Sequence, residues 1–497
     1  VLTTLKNNKH RLFSITLLLI LTIILRFNNL GYSEFQDDEK KARINLKEDM
    51  STREFLLNQR KGPLQFGVTE ATSLFVEDDR NEIAYRTPFA LVSVLSVFVF
   101  YLILSHYFKA EPVRLFGALL FATNGFFVGF GRIAQYQNLN LLFSFLSLLM
   151  FIKLNKSTKY HLMYAVLGTV FLCISILAHW DAIFFVLPIA TLYLTFLLNR
   201  EVSATNKIAI TVACLSVGSA ILLPYLIPYR HAQLENSENM QYFGKRVGLS
   251  TYPIEKHRFI FELYNPFLTF SFLSILAGLS MLTIKKSWMF WIWFVVNFLL
   301  IRYLMQKPGT HIYNYIIPSI FLSTYSINLL FSIKKLRIVT VLVAVFTLTF
   351  LYLQSYKIFV DHKQEYPWDK KTIFSFAGKA FETPEYTDSE VLTFGFPHFR
   401  NWENVNNFVL NDPDNCSYIT NEGKEISQIY MTAGYGIKDS RKCYYVIVVK
   451  RPFITGARDA QYPEAIGKTP LYTYSNKETG EELVEVFKKN QKKKEED

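Results

Sequence analysis

Charge is scarce in this chain. Asp, Glu, Lys and Arg make up 19% of its 497 residues, while hydrophobic residues make up 51%. Cysteine is scarcer still: there are four, too few for a disulfide-built scaffold. No GxxxxGK[ST] loop, GxSxG turn, HExxH pair or CxxC pair occurs. Their absence removes the chemistries those spacings serve: phosphate cradling, the hydrolase elbow, zinc-dependent proteolysis and dithiol exchange. A basic soluble tract interleaved with aromatics is also missing, so the net charge of +12 is not a nucleic-acid signal.

What is present is length without charge. Eleven apolar runs, near 11–28, 87–108, 113–131, 138–154, 160–178, 182–198, 207–228, 264–284, 287–304, 312–333 and 336–354, each approach the roughly 20 residues that cross a bilayer as a helix. The expectation is an α-helical polytopic membrane protein of about eleven spans, residues 1–354, followed by an exterior α/β domain, 355–497. The first run lacks a small-x-small cleavage site before Tyr32 and reads as an uncleaved anchor. Basic residues mark alternate connections: Lys109 and Arg114; Lys153, Lys156 and Lys159; Arg200 and Lys207; Lys285 and Lys286; Lys334, Lys335 and Arg337. This positive-inside pattern puts the N-terminus in the cytoplasm, and loop 29–86 and the C-terminal domain outside. Ionisable residues are nearly absent from the middles of the runs, where transporters place them. A transporter or flippase of lipid-linked glycans is the alternative reading, and a non-catalytic subunit is a third.

Loop 29–86 reads as an amphipathic helix over "DEKKARINLKEDMSTREFLL", a break at Gly62-Pro63, and a short helix over Leu64 to Phe75. In the C-terminal domain, "EVLTFGF" and "CYYVIVVKR" have strand character, whereas "KTIFSFAGKAF" and "GEELVEVFKKN" have helical spacing. Cys416 and Cys443 fall in this domain, where a disulfide and two free thiols are equally open.

Candidates for chemistry lie in the loops expected outside. Asp37, Asp38 and Glu39 are consecutive carboxylates. They can hold a divalent cation such as Mg or Mn, or supply a general base. They can equally be a solvated helix start favoured by the macrodipole. Lys41, Lys61, Arg86, Arg132, Arg302 and Lys307 are cations suited to phosphate or to lipid headgroups. Tyr136, His179, Asp181, His311 and Tyr313 complete the set as interface anchors or site residues.

The order of these loop features resembles the protein O-mannosyltransferase and lipid A aminoarabinose transferase group of the GT-C glycosyltransferases. The matching stretches are "DDE", "KGPL", "RTP" opening the second run, "GALLFATNGFFVGFGRIAQYQNLNLLFSFLSLL" and "YPWDKKTIFSFAGKAF". The resemblance implies a catalytic Asp at Asp38, beside Glu39, with Asp37 as the alternative. It implies a following basic residue at Lys41 and a donor-phosphate contact at Lys61. The implied activity is transfer of a sugar from a polyprenyl-phosphate donor to a hydroxyl on a lipid, glycan or protein, within membrane lipids. Arg60 and Asn138 stand where the group often has carboxylates.

Overall fold

A computed structural model describes residues 2–44, 46, 50–236, 239–241, 244, 266–305, 309–363, 372–382, 399–436, 443–450, 452 and 467–490. Lys307, the "EVLTFGF" stretch, and the side chain of Asp37 lie outside the described residues. The chain forms two compact units. One comprises residues 1–28, 44–70 and 87–356; the other comprises 29–43, 71–86 and 357–497.

The first unit is helical. In chain order its main elements, counting α4, α5 and α15 by the greater part of their length, are α1 (Leu2–Phe27), α3 (Thr52–Leu57), α4 (Pro63–Ser73), α5 (Glu82–Tyr107), α6 (Glu111–Thr123), α7 (Gly125–Phe130), α8 (Tyr136–Lys156), α9 (His161–Ala178), α10 (Ile183–Leu198), α11 (Ala204–Glu235), α12 (Pro266–Leu279), α13 (Ile284–Leu299), α14 (Tyr313–Ser332) and α15 (Arg337–Phe359). Among the described residues, eight helical segments are long and apolar enough to cross a membrane. The protein is a multi-pass integral membrane protein. The run expected over 113–131 is broken at Asn124, which caps α7 by accepting the Phe126 N–H at 3.0 Å. It gives helices of 13 and 6 residues, not one span.

Runs eight and nine form a hairpin. Ser323 and Ser326 of α14 donate to the Leu273 and Leu276 carbonyls of α12, so these helices advance together. Asn297 of α13 donates to the Asn314 carbonyl, while Phe290 stacks on Phe321 at 4.4 Å, so α13 and α14 run in opposite senses. The 3₁₀ segment Ser280–Thr283 therefore reverses the chain, just before the expected basic turn at Lys285 and Lys286.

Aromatic rings fill the interior of this unit: Phe100 meets Phe121, Phe145 and Phe321 at centroid distances of 4.8, 5.3 and 4.8 Å. Helices α8 and α9 approach through small and polar residues. Ser144 bonds Ser175 at 2.7 Å, and Ser147 donates to the Gly168 carbonyl at 2.8 Å. Such contacts replace the hydrophobic driving force that lipid does not supply. Gly62 is needed for close approach, since a Cβ there would lie 2.0 Å from the Leu177 carbonyl oxygen.

The expected long amphipathic helix in loop 29–86 does not form. The described residues hold a single turn, α2 (Asp37–Lys40), and then α3, whose N-cap Ser51 accepts the Glu54 N–H at 3.2 Å. The Ser51 cap starts a new helix where the sequence pattern continued an old one. The second expected helix is α4, with Pro63 at its first position, where a missing N–H costs nothing.

The second unit carries α16 (Trp402–Leu410), α17 (Lys424–Tyr430) and two sheets. Strands β1 (Thr372–Phe376) and β2 (Lys379–Glu382) form an antiparallel hairpin. This overturns the helical reading of "KTIFSFAGKAF": Ala377 and Gly378 have φ of 50° and 73°, the two positive values of a tight hairpin turn. The larger sheet has the order β3-β4-β6-β5, from β3 (Ser417–Thr420), β4 (Cys443–Val449), β5 (Tyr472–Ser475) and β6 (Glu482–Asn490). Strand β6 overturns the second helical reading. Leu483 and Phe487 are spaced as on a helix, but Val484 and Val486 lie opposite Val449 and Ile447 of β4, and this pairing decides.

The strand expected of "CYYVIVVKR" is β4; β3 and β4 are parallel and joined through α17. Ser417 pairs with Tyr444, so the preceding residues, Cys416 and Cys443, also lie side by side. Their Cα atoms are 4.9 Å apart and a disulfide joins them.

Candidate functional site

The functional side chains expected from sequence separate into two groups, one in each unit. The first gathers around α2 in the second unit. Glu39 is buried, and its carboxylate takes Arg86 Nε at 2.8 Å on one oxygen and Arg86 Nη2 at 2.8 Å on the other. Arg86 also donates to the carbonyls of Leu30, Ser33 and Glu34 at 3.0, 2.7 and 3.0 Å. Its fork thus satisfies three carbonyls and a carboxylate at once. Asp38 is half-buried on the turn that this pair anchors, with its own N–H donated to Gln36 Oε1 at 2.8 Å. Lys41 is exposed.

Three further residues that the sequence did not single out hold the same segment. Glu34 is buried and accepts the Arg400 N–H at 2.6 Å and the Trp402 N–H at 3.0 Å. Burial pushes its carboxyl up, against the pull of Arg400 and the two N–H groups. Arg400 forms a buried ion pair with Glu422. Tyr430 accepts the Phe35 N–H at 2.7 Å and donates to Glu82 at 2.5 Å. Burial, with Glu82 and Glu34 alongside, holds its phenol well above its ordinary range. Only Glu34, an acid beside the acidic run, carried a local hint.

The second group forms in the first unit. Four segments converge: Lys61 just before α4, Tyr136 at the start of α8, His179 to Asp181 between α9 and α10, and His311 to Tyr313 at the start of α14. Lys61 Nζ lies 5.8 Å from the centre of the Tyr136 ring. Tyr136 stacks on His179 at 3.7 Å, and His179 on His311 at 5.5 Å. Asp181 is buried and accepts from His311 Nδ1, which lies 2.7 and 2.9 Å from its two oxygens, and from the Tyr313 hydroxyl at 2.7 Å.

The hydrogen bonds assign the tautomers. His179 Nδ1 accepts the Asp181 N–H at 3.1 Å, so that nitrogen is unprotonated. Its 3.1 Å approach to the Asp181 carboxylate is then a contact and not an ion pair. Burial pushes the His179 imidazole below its ordinary value, with His311 and Lys61 acting the same way and Asp181 opposing. His311 gives its Nδ1–H to Asp181, which leaves Nε2 as the nitrogen available to a ligand.

Arg132 is buried in the same unit and donates to the Leu25 carbonyl at 3.1 Å. Near it is Arg26, which the sequence reading passed over. It is fully buried and donates to Ser93 at 3.2 Å and to the Ala122 carbonyl at 2.7 Å. Gly131 makes room for it, since a Cβ there would lie 2.7 Å from Arg26 Nε. Arg302 sits in a π-helical turn, Leu300–Leu304, over Tyr303.

His179, Asp181 and His311 each offer a ligand atom, all within 4.8 Å of one another. Two imidazoles and one carboxylate are a poor set for Mg, which favours oxygen. His179 Nδ1 and both Asp181 oxygens are already spent in hydrogen bonds. An apolar cavity of about 450 Å³ opens among α1, α6, α14 and α15, lined by Leu17, Leu21, Phe116, Leu119, Val345 and Leu348.

No family model and no curated protein matches the chain. Solved structures do. ArnT from Cupriavidus metallidurans bound to undecaprenyl phosphate superposes with a TM-score of 0.54 at 12% identity, over 96% of this chain and 97% of that one. The apo state of the same enzyme gives 0.51 at 10% identity, over 96% and 97%. The Saccharomyces cerevisiae Pmt1-Pmt2 protein O-mannosyltransferase complex bound to its sugar donor aligns over 46% of this chain and 34% of that one, with a TM-score of 0.37 at 14% identity. End to end, the chain has the ArnT-like fold of the GT-C glycosyltransferases.

Proposed function

We propose that the protein transfers a sugar from a polyprenyl-phosphate donor to an acceptor hydroxyl, with inversion at the anomeric carbon. The observation that carries this reading is the full-length likeness to an ArnT structure bound to undecaprenyl phosphate. The grouping of Lys61, Tyr136, His179, Asp181, His311 and Tyr313 in the membrane unit supports it. Asp38 takes the acceptor proton as the hydroxyl oxygen attacks and the bond from the anomeric carbon to the phosphate oxygen breaks. Lys61 offsets the charge that develops on the departing phosphate, with Lys41, Arg132, Arg302 and Lys307 as further cations. His311, oriented by Asp181, presents Nε2 to substrate. Glu39 and Arg86 hold the Asp38 turn. The apolar cavity suits part of an isoprenoid chain. We expect transfer to survive chelation, because His179 Nδ1, His311 Nδ1 and both Asp181 oxygens are engaged in hydrogen bonds within the set.

Purified protein incubated with radiolabelled polyprenyl-phosphate sugars and membrane extract should yield labelled lipid, glycan or protein. Movement of intact donor across vesicles without cleavage would instead establish the transporter alternative. Asp38→Asn should reduce transfer to background while donor binding persists. Orientation is tested by cysteines in a Cys173→Ser, Cys214→Ser background. At Thr52 and Thr479 they should react with an impermeant maleimide in intact cells, and at Thr158 they should not. All three positions are exposed on the protein.

A further inference from the structure

Helix α16 begins without a cap of its own. Its N-cap residue, Asn401, has φ 60° and makes no side-chain cap bond. A helix start leaves backbone N–H groups without partners, and a capping oxygen ordinarily comes from the N-cap side chain. Here Glu34 supplies it, from 366 residues earlier for Arg400 and 368 for Trp402. The capping carboxylate lies four residues before Asp38.

The stretch between them is tied at almost every residue. Arg86 takes the carbonyls of Leu30, Ser33 and Glu34. Tyr430 takes the Phe35 N–H. Glu39 Oε2 takes the Gln36 N–H at 3.1 Å, and Gln36 Oε1 takes the Asp38 N–H. The Glu39 and Lys40 N–H groups close on the Gln36 carbonyl at 3.1 and 3.2 Å. A four-residue turn has too few internal bonds to hold itself. Its geometry is imposed by Glu34, Arg86 and Tyr430.

We propose that Glu34, Arg86 and Tyr430 are positioning residues for Asp38, and that α16 and α17 are part of the catalytic machinery by holding the turn that carries it. The proposal rests on the reading of Asp38 as the base. The Glu34 carboxylate accepts one N–H on each oxygen. Glu34→Gln turns one of those oxygens into a donor facing another donor, with little change in size. Tyr430→Phe removes one hydroxyl. Arg86→Lys keeps the charge but cannot reach three carbonyls and a carboxylate together.

The test uses the full-length protein in detergent or nanodiscs, with undecaprenyl phosphate as the binding probe. Turnover is expressed per folded molecule. Glu34→Gln and Tyr430→Phe should lower kcat roughly ten- to hundredfold, the scale of a small misplacement of a reacting group, while undecaprenyl phosphate binds within about twofold of the parent. Hydrogen exchange should quicken at Phe35 to Asp38 and stay slow along Cys443–Val449. Arg86→Lys should not rescue Arg86→Ala. Normal kcat per folded Glu34→Gln and Tyr430→Phe, with Asp38→Asn inactive, would overturn the positioning role and leave the base assignment intact. Normal turnover of Asp38→Asn would remove the base assignment, and this proposal with it.

Discussion

Two buried carboxylates do different work in this protein. Glu39 is enclosed by Arg86, and the guanidinium spends its remaining donors on carbonyls of the same segment. Asp181 is also buried and also meets a nitrogen base, but His311 reaches it through Nδ1 and keeps 12% of its side-chain surface accessible. A closed pair is a frame. A pair with one open end can act on something else. Burial and ion pairing alone do not tell them apart; the disposition of the partner's remaining atoms does.

Substitutions can break that comparison. Asp181→Asn keeps size but disturbs the His311 tautomer, and turnover should fall roughly a hundred- to ten-thousandfold, the range seen when an orienting or acid–base group is lost. Its melting temperature should change little relative to Glu39→Gln. Initial rates and a thermal scan on matched preparations check both. Glu39→Gln should cost about 3–5 kcal/mol of stability in its unit, because it leaves Arg86 buried and uncompensated. Equal loss of stability in the two variants would erase the distinction.

The disulfide offers a third test. Cys416→Ser with Cys443→Ser opens a loop with a sequence separation of 27 and should cost the second unit about 3–4 kcal/mol in the chain-entropy estimate. Denaturation with and without reductant reads it. Lys61→Ala should weaken undecaprenyl phosphate binding and slow transfer by about ten- to hundredfold, the 1.5–3 kcal/mol of a charge-assisted contact. Titration of the variant measures it.

The smallest effect is a pH dependence. Burial alone would push the Asp412 carboxyl up, but hydrogen bonds from Lys488, Tyr445 and the Asp414 N–H hold it below its ordinary value. A depressed carboxyl contributes stability at neutral pH that disappears as pH falls through the folded value. The second unit should lose stability below about pH 4, near the ordinary Asp value, and Asp412→Asn should flatten that limb.

The helical, multi-pass character of the chain was legible in sequence because lipid imposes one rule: long apolar runs must be helices. The hairpin turn near Lys285 and the strand at Cys443–Val449 followed from charge and β-branching. The errors fell where local pattern and tertiary pairing disagree. The residues flanking Ala377-Gly378, and Val484-Val486, become strands because a turn at Ala377-Gly378 and a neighbouring ladder on β6 accept them. For the candidate site, the residue types of the His311 group were visible, but their convergence was not, since it joins positions as far apart as Lys61 and His311. Arg400, Glu422 and Tyr430 gave no signal, because nothing near them in sequence shows the carboxylate or backbone they meet.

The cap on α16 also sets a schedule. Arg400 and Trp402 leave the ribosome 366 and 368 residues after Glu34. At about 5–20 residues per second, the acidic turn waits tens of seconds for the groups that fix its shape. Throughout synthesis the membrane helices can insert and pack, but Asp38 has no settled geometry. If Asp38 is the base, the protein is therefore expected to be inert toward substrate until α16 has been made and has folded onto Glu34, so that synthesis of one late helix is itself the switch that turns it on.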